Sequence, residues 1–200
     1  MYPVLLRRGV GAVNADLEIL LYRNRLQLAT ADALYSDGDR YLPALAIVKN
    51  LKTFLPAVKN VLVLGAGLGS MVRVIRQNGF SPDFTLVEND KVVLKWAMEF
   101  LPDTDRIAPV CIDARVFLEK NTAKYDLIFI DIFNSRVVPD FVTTILFLSW
   151  CRDSLSTSGR VSFNYMINDK HDWEDVQHVF GTVFPGYHTL DLGINKVLIS

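Results

Sequence analysis

Apolar and polar positions along the chain change period several times, and each change marks an element. Leu17, Ile19 and Leu21 alternate with polar or smaller neighbours, and Leu26 and Leu28 repeat the alternation after Arg23-Asn24. A period of two over such short runs predicts a β-hairpin across 16–30 with Asn24 at its turn. Ser36-Asp37-Gly38-Asp39 is a turn signal. The period then lengthens. Tyr41, Leu45, Val48, Leu51 and Leu55 form one helical stripe, with Pro43 in the first turn, where a missing N–H is tolerated, and Pro56 closing it. From Asn60 onward, short apolar runs alternate with helical stretches. Strands are predicted over 61–64, 84–87, 107–111, 127–130 and 161–165. Helices are predicted over 71–77, from an Asp90 cap to Phe100, over 114–120 and 141–155, and from an Asp172 cap through Phe180, with Gly79, Pro102 and Gly159 as stops. Residues 187–192 and 196–199 make a closing strand pair around Gly193.

Five short apolar strands separated by helices require right-handed crossovers and a parallel sheet covered on both faces. The last two strands are too close for a crossover helix, so they form a hairpin and the sheet ends antiparallel. The fold class is α/β. The antiparallel ending resembles the Rossmann-like fold of S-adenosylmethionine-dependent methyltransferases, preceded here by a small N-terminal β-hairpin. The expected division is a hairpin unit over 1–38 and a transferase domain over 39–200.

Composition narrows the class. Half of the 200 residues are hydrophobic, 22% are charged and the formal net charge is −1. That excludes a disordered chain and offers no field for a phosphate backbone, so no nucleic-acid partner is expected. No apolar run approaches the ~18 residues of a membrane span, and the start carries no secretory signal. The expected protein is soluble and cytoplasmic, with no membrane partner. Its slightly positive mean hydropathy points to a buried subunit interface. Cys111 and Cys151 are read as reduced core residues. His171, His178 and His188 have no metal-ligand spacing, so no metal is expected. Trp96, Trp150 and Trp173 are read as packing residues.

The strongest local signal is Gly65-Ala66-Gly67-Leu68-Gly69-Ser70, between the first sheet strand and a helix. Glycines there let the backbone turn tightly and approach a ligand beyond the strand ends. Glu88 ends the next strand, at the spacing where a carboxylate meets ribose hydroxyls. Ser70 stands where a dinucleotide fingerprint wants its third glycine, which favours an adenosyl sulfonium over a pyrophosphate. Asp113 is either an adenine-contacting acid or the N-cap of the helix from Ala114. Asp131, delivered to the sheet mouth by four apolar residues, suits a proton acceptor for an amine nucleophile, or else an ion-paired or capping acid. The 168–171 loop either overhangs the pocket or is a solvated connection.

Tyr35-Ser36-x-Gly38, GAGLGS at 65–70, LVEND at 86–90, IDA at 112–114, YDLIFIDIF at 125–133 and Pro139 follow in order. Together they resemble the spermidine synthase superfamily, closest to its short spermidine synthase-like members. The resemblance implies that Gly65, Ala66, Gly67, Gly69, Glu88, Asn89, Asp113 and Ala114 bind the cofactor, S-adenosylmethionine or its decarboxylated form. It implies Asp131 and Tyr41 as catalytic residues, and Tyr35 and Asn134 as substrate-binding ones. The acceptor is then a small molecule, with an amine as one candidate, and the protein a homodimer or higher homo-oligomer. Two departures matter: Leu68 replaces an aspartate of the glycine loop, and Asn134 replaces a second aspartate after the catalytic one. Losing both weakens a pocket for cations, so methyl transfer stands beside aminopropyl transfer. The rival readings are a non-catalytic nucleoside-binding scaffold and an NAD-dependent oxidoreductase.

Overall fold

A computed structural model describes residues 2–13, 15–30, 34–167 and 173–200. The 168–171 loop and the Asp172 cap lie outside the described residues. Two sheets organise the chain. The first is an antiparallel sheet of β1 (Val4–Gly9), β2 (Leu17–Tyr22), β3 (Arg25–Ala29) and β4 (Leu34–Ser36), in that order. The expected hairpin is β2–β3, with Arg23 and Asn24 at positive φ in its turn. The sequence pattern does not predict β1, because Val4, Leu5 and Leu6 are all exposed and show no alternation of buried and open positions.

The second sheet has seven strands in the order β10-β11-β9-β8-β5-β6-β7. They are β5 (Asn60–Leu64), β6 (Asp83–Glu88), β7 (Ile107–Cys111), β8 (Tyr125–Ile130), β9 (Leu155–Met166), β10 (His188–Leu192) and β11 (Asn195–Ile199). β5 to β9 run parallel, β11 pairs antiparallel with β9, and β10 pairs antiparallel with β11. The helices are α1 (Leu42–Asn50), α2 (Ser70–Gln77), α3 (Lys91–Phe100), α4 (Ala114–Lys120), α5 (Ile145–Asp153) and α6 (Trp173–Val183). This is the Rossmann-like methyltransferase order, with the chain reversing direction across the sheet between β5 and β8. In open sheets of this kind the ligand crevice lies at that reversal.

Burial explains the arrangement. Val61–Leu64 and Leu127–Ile130 are buried throughout because helices cover both faces of the central strands. One core lies between the sheet and α1, α2 and α3, and another between the sheet and α4, α5 and α6. A third core joins the small sheet to the larger unit: Leu17, Ile19 and Leu28 meet Leu68, Val93 and Trp96. Asp90 caps α3 as expected, accepting from the Val92 and Val93 amides.

Several expectations need correction. The helix over 141–155 is a 3-10 turn at Asp140–Thr143 followed by α5, because Thr144 restarts the helix by capping Phe147. Gly159 does not stop a helix. It lies inside β9, where the pairing with β8 slips between Tyr125 and Leu127 and a bulge takes up the extra residues. Helix α1 ends at Asn50, short of Pro56, which lies in a separate 3-10 turn at Leu55–Ala57; Leu45 falls outside the buried face of α1, which is Pro43, Ala44, Ile47 and Val48. Cys111 is exposed at the edge strand β7, while Cys151 is buried and both are free.

The ends of β5 and β8 meet at Gly65. Its φ is +89°, and a Cβ there would lie 2.2 Å from the Asp131 carbonyl oxygen. Gly193 has a similar φ of +83° but nothing within 4 Å of its Cβ position. Gly193→Ala should therefore cost only the left-handed strain, about 1–2 kcal/mol. Gly65→Ala must also push β5 and β8 apart, and should cost at least ~2 kcal/mol more. Urea unfolding of the two variants side by side measures the difference.

Candidate active site

Beyond the carboxyl ends of β5, β6 and β8 lies a cavity of about 320 Å³. Its wall includes Tyr35, Tyr41, Gly65, Ala66, Gly67, Glu88, Asn89, Asp131 and Asn134, nine of the residues expected at the site. Asp113 and Ala114 line an adjoining cavity of about 200 Å³. The two cavities share Val13, Gly65, Glu88, Asn89, Ile132 and Asn134, so they form one continuous cleft. Gly69 lines neither cavity. It is the left-handed N-cap of α2 and packs toward the Leu101 side chain.

Each acid is held differently. Glu88 accepts the Asp90 amide on Oε1 (3.1 Å) and the Ala66 amide on Oε2 (3.1 Å). Burial pushes its carboxyl above the usual range, and the amides of Asp90, Ala66 and Gly67 draw it back. Three amides leave the carboxylate with acceptor capacity for one ligand hydroxyl. Asp113 is the N-cap of α4, accepting the Arg115 amide at 2.8 Å. The Arg115 guanidinium grips both its oxygens, at 3.0 and 2.9 Å, and holds its carboxyl below the usual range. The capping reading of Asp113 is thus realised, and an adenine amino group would have to share the carboxylate with Arg115.

Asp131 is the centre of a polar network. Tyr41 Oη donates to its Oδ1 at 2.8 Å, and Asn164 Nδ2 donates to the same oxygen at 2.8 Å. Asn164 Nδ2 also reaches Tyr41 Oη at 2.9 Å, and Asn195 Nδ2 donates to Asn164 Oδ1 at 3.0 Å. Both amide orientations follow from this pattern, because a flipped Asn164 would aim its oxygen at a carboxylate. Among the described residues, Asp131 Oδ2 accepts no hydrogen bond. Burial raises the Asp131 carboxyl to about 7; the Asn164 and Tyr41 bonds oppose that rise, and the Glu88 charge adds to it. Burial and the same carboxylate push the Tyr41 phenol well above its usual range, so it stays protonated as a donor.

Sequence reasoning did not find Asn164 or Asn195. The available signal was a single amide inside the apolar run Val161–Met166; Asn164 is fully buried there. Leu68 does not face the cleft at all. It is 1% exposed, in the core beneath the small sheet, so the position of the missing loop acid is filled by packing. Asn134 is exposed at the rim, bridged to Val137, and the Ser135 amide donates to Tyr35 Oη.

Known proteins place this geometry in a family. The spermine/spermidine synthase domain matches residues 45–188. A polyamine aminopropyltransferase of Vibrio vulnificus is 27% identical over 82% of this chain and 57% of its own. An N-terminal histidine N-methyltransferase of Emericella nidulans is 31% identical over 54% of this chain and 20% of its own. The chain thus spans less than two thirds of these relatives' length. The crystal structure of a probable spermidine synthase from Corynebacterium glutamicum superposes on all of this chain and 80% of its own, with a TM-score of 0.77 at 17% identity. The domain match covers well over half of the chain, and the chain belongs to the spermine/spermidine synthase domain family.

Proposed function

We propose that the cleft binds an adenosyl sulfonium, S-adenosylmethionine or its decarboxylated form, and that the protein transfers an alkyl group from it to a small nucleophile. The observation that carries this reading is Asp131, anchored through one carboxylate oxygen while the other is left open in the cleft. The residues fit such a ligand. A Cβ at Gly65 would be blocked, so backbone itself forms that part of the wall. Glu88 has acceptor capacity for one ribose hydroxyl, and the Asp113–Ala114 cavity has room for a base.

A bound sulfonium supplies the electrophilic carbon. The acceptor's lone pair forms the new bond to that carbon as the carbon–sulfur bond breaks, and the departing electron pair leaves a neutral thioether. Asp131 Oδ2 takes the acceptor's proton. A carboxyl near 7 is matched to that role at neutral pH. Tyr41 and Asn164 hold the carboxylate so that Oδ2, not Oδ1, faces the acceptor. Positioning of this kind accounts for much of the rate effect in displacement reactions.

The relatives' names include both aminopropyltransferase and methyltransferase. Burial of Leu68 leaves no loop acid to hold an aminopropyl ammonium, which favours methyl transfer.

Calorimetry should detect binding of S-adenosylmethionine or methylthioadenosine and none of NAD; NAD binding alone sinks the proposal. Asp131→Asn should lower transfer by about 100-fold or more and leave nucleoside affinity within a few-fold. Unchanged transfer in that variant refutes the catalytic role of Asp131, and binding without turnover in the parent supports a scaffold instead.

The pH dependence has a definite sign. Transfer needs ionised Asp131, so the rate should rise with pH through about 7. Asn164→Ala removes a bond that favours the ionised form. The Asp131 carboxyl should then titrate at still higher pH, and the rising limb should move with it. Carbon-13 NMR titration of the aspartate carboxyls reads this without an acceptor. The raised value also means that Asp131 stabilises the fold when protonated, and that this contribution is lost as pH rises through about 7.

A further inference from the structure

The terminal hairpin reaches the acid of the cleft from the far end of the chain, and its turn is pinned. Gly193 has a φ of +83°, its amide donates to Asp191 Oδ1 at 2.9 Å, and Lys196 Nζ lies 2.6 Å from the same oxygen. The Ile167 amide donates to the Ile194 carbonyl at 2.8 Å, which ties the turn to the end of β9. The resulting register pairs Asn195 with Met166 and Val197 with Asn164. Side chains alternate along a strand, so Asn195 shares a face of β11 with Val197 and Ile199, which belong to the core on the α1 side. Asn164 faces the same way, since it reaches Tyr41 at the start of α1. The two amides are therefore diagonal neighbours on one face of an antiparallel pair, within reach of each other. A slip of one residue would turn Asn195 to the opposite face.

The side chains then run in series. Asn195 Nδ2 donates to Asn164 Oδ1 at 3.0 Å, and Asn164 Nδ2 donates to Asp131 Oδ1 at 2.8 Å. The two ends of an amide are nearly equal in shape, so its partners set its direction. Asn164 is fully buried, and its carbonyl needs a donor. Asn195 supplies one. A bond at the carbonyl also polarises the amide and strengthens its N–H groups as donors. Without that donor, Asn164 gains by turning its oxygen toward Tyr41 and a protonated Asp131. Such a turn suits a neutral acid and opposes a carboxylate.

Other groups around Asp131 do not depend on Asn195. Tyr41 from the start of α1 and Glu88 from the end of β6 act on it directly. Tyr35, Asp90 and Arg136 line the same cavity, and Asp113 and Arg115 line the adjoining one. Lys196, paired with Asp191, alternates to the opposite face of β11. An uncharged replacement of Asn195 leaves all these charges in place.

We propose that Asn195 is a positioning residue for Asp131: by donating to Asn164 Oδ1 it fixes the direction of the Asn164 amide and keeps that amide's N–H on Asp131 Oδ1. Asn195 stands one hydrogen bond out from the acid and acts through Asn164. The β10–β11 turn is thereby part of what readies the carboxylate. The meaning of this for transfer rests on the reading above; the direction of the two amides does not.

The test is carbon-13 NMR titration of Asp131 in the ligand-free full chain, for the parent, Asn195→Leu, Asn164→Leu and the double variant. Leucine has nearly the shape of asparagine and no donor. Weakening a bond that favours the ionised form raises a carboxyl, so Asn195→Leu should move the Asp131 titration upward by about half a unit. Asn164→Leu should move it at least as far, and Asn195→Leu should add nothing in that background. Asn195→Asp gives a second reading should Asn195→Leu not fold. It replaces the donor by an acceptor and should raise the titration by about one unit or more, and the larger part of that rise should vanish in the Asn164→Leu background. An Asp131 titration that neither replacement moves, or a shift that persists in full without Asn164, overturns the inference. A fall in methylthioadenosine affinity with an unmoved titration also overturns it, and marks Asn195 as a direct ligand contact. Failure of methylthioadenosine to bind the parent removes the transfer reading, and the titrations still decide the role of Asn195.

Discussion

The carboxyl ends of β5 and β8 approach so closely that only a residue without Cβ fits between them. At Gly65 the missing side chain leaves room for the Asp131 carbonyl. The Asp131 amide in turn donates to the Leu64 carbonyl at 2.8 Å, and the Gly65 amide donates to the Val87 carbonyl at 2.9 Å. Three parallel strands are thereby tied at the level where their side chains turn from core to cleft. The glycine turn, Glu88 and Asp131 share one cavity because this seam is tight.

A polar network inside an apolar sheet is the second constraint. Asn164 occupies a position on β9 between Phe163 and Tyr165, and all three are fully buried. An amide there would be unfavourable alone, since an unpaired buried polar group costs about 1–3 kcal/mol. It is satisfied on both sides, by Asn195 from the terminal hairpin and by Tyr41 and Asp131 from the cleft. The antiparallel ending of the sheet therefore acts beyond completing the fold. β11 carries the residue that orients Asn164, and Asn164 orients the acid.

The small sheet bears on function by the same logic of substitution. Its core residues Leu17, Ile19 and Leu28 press on Leu68 and Trp96, and buried Ser36 and Ser70 join β4 to α2 through a 2.7 Å hydroxyl pair. Docking this sheet onto the glycine loop turns a loop position into core.

Much of this is legible in the order of residues alone. Runs such as Val61–Leu64 and Leu127–Ile130 can be buried only between two helical layers. The spacing of helices between them demands parallel crossovers, and the short Gly193 turn demands a hairpin. The glycine turn followed by Glu88 marks the ligand end of the sheet by strand direction alone. Other features depend on which distant segments touch. β1 has no alternation because it is exposed along its hydrophobic start, and Gly159 reads as a helix stop until its bulge against Tyr125 is seen. The choice of Asp131 Oδ1 as the anchored oxygen joins residues 41, 131, 164 and 195, from four separate parts of the chain. Local sequence dictates periodicity and turns because these arise from neighbouring residues. Burial of Leu68 and the titration of Asp131 come from neighbours far along the chain, so only the tertiary structure decides them.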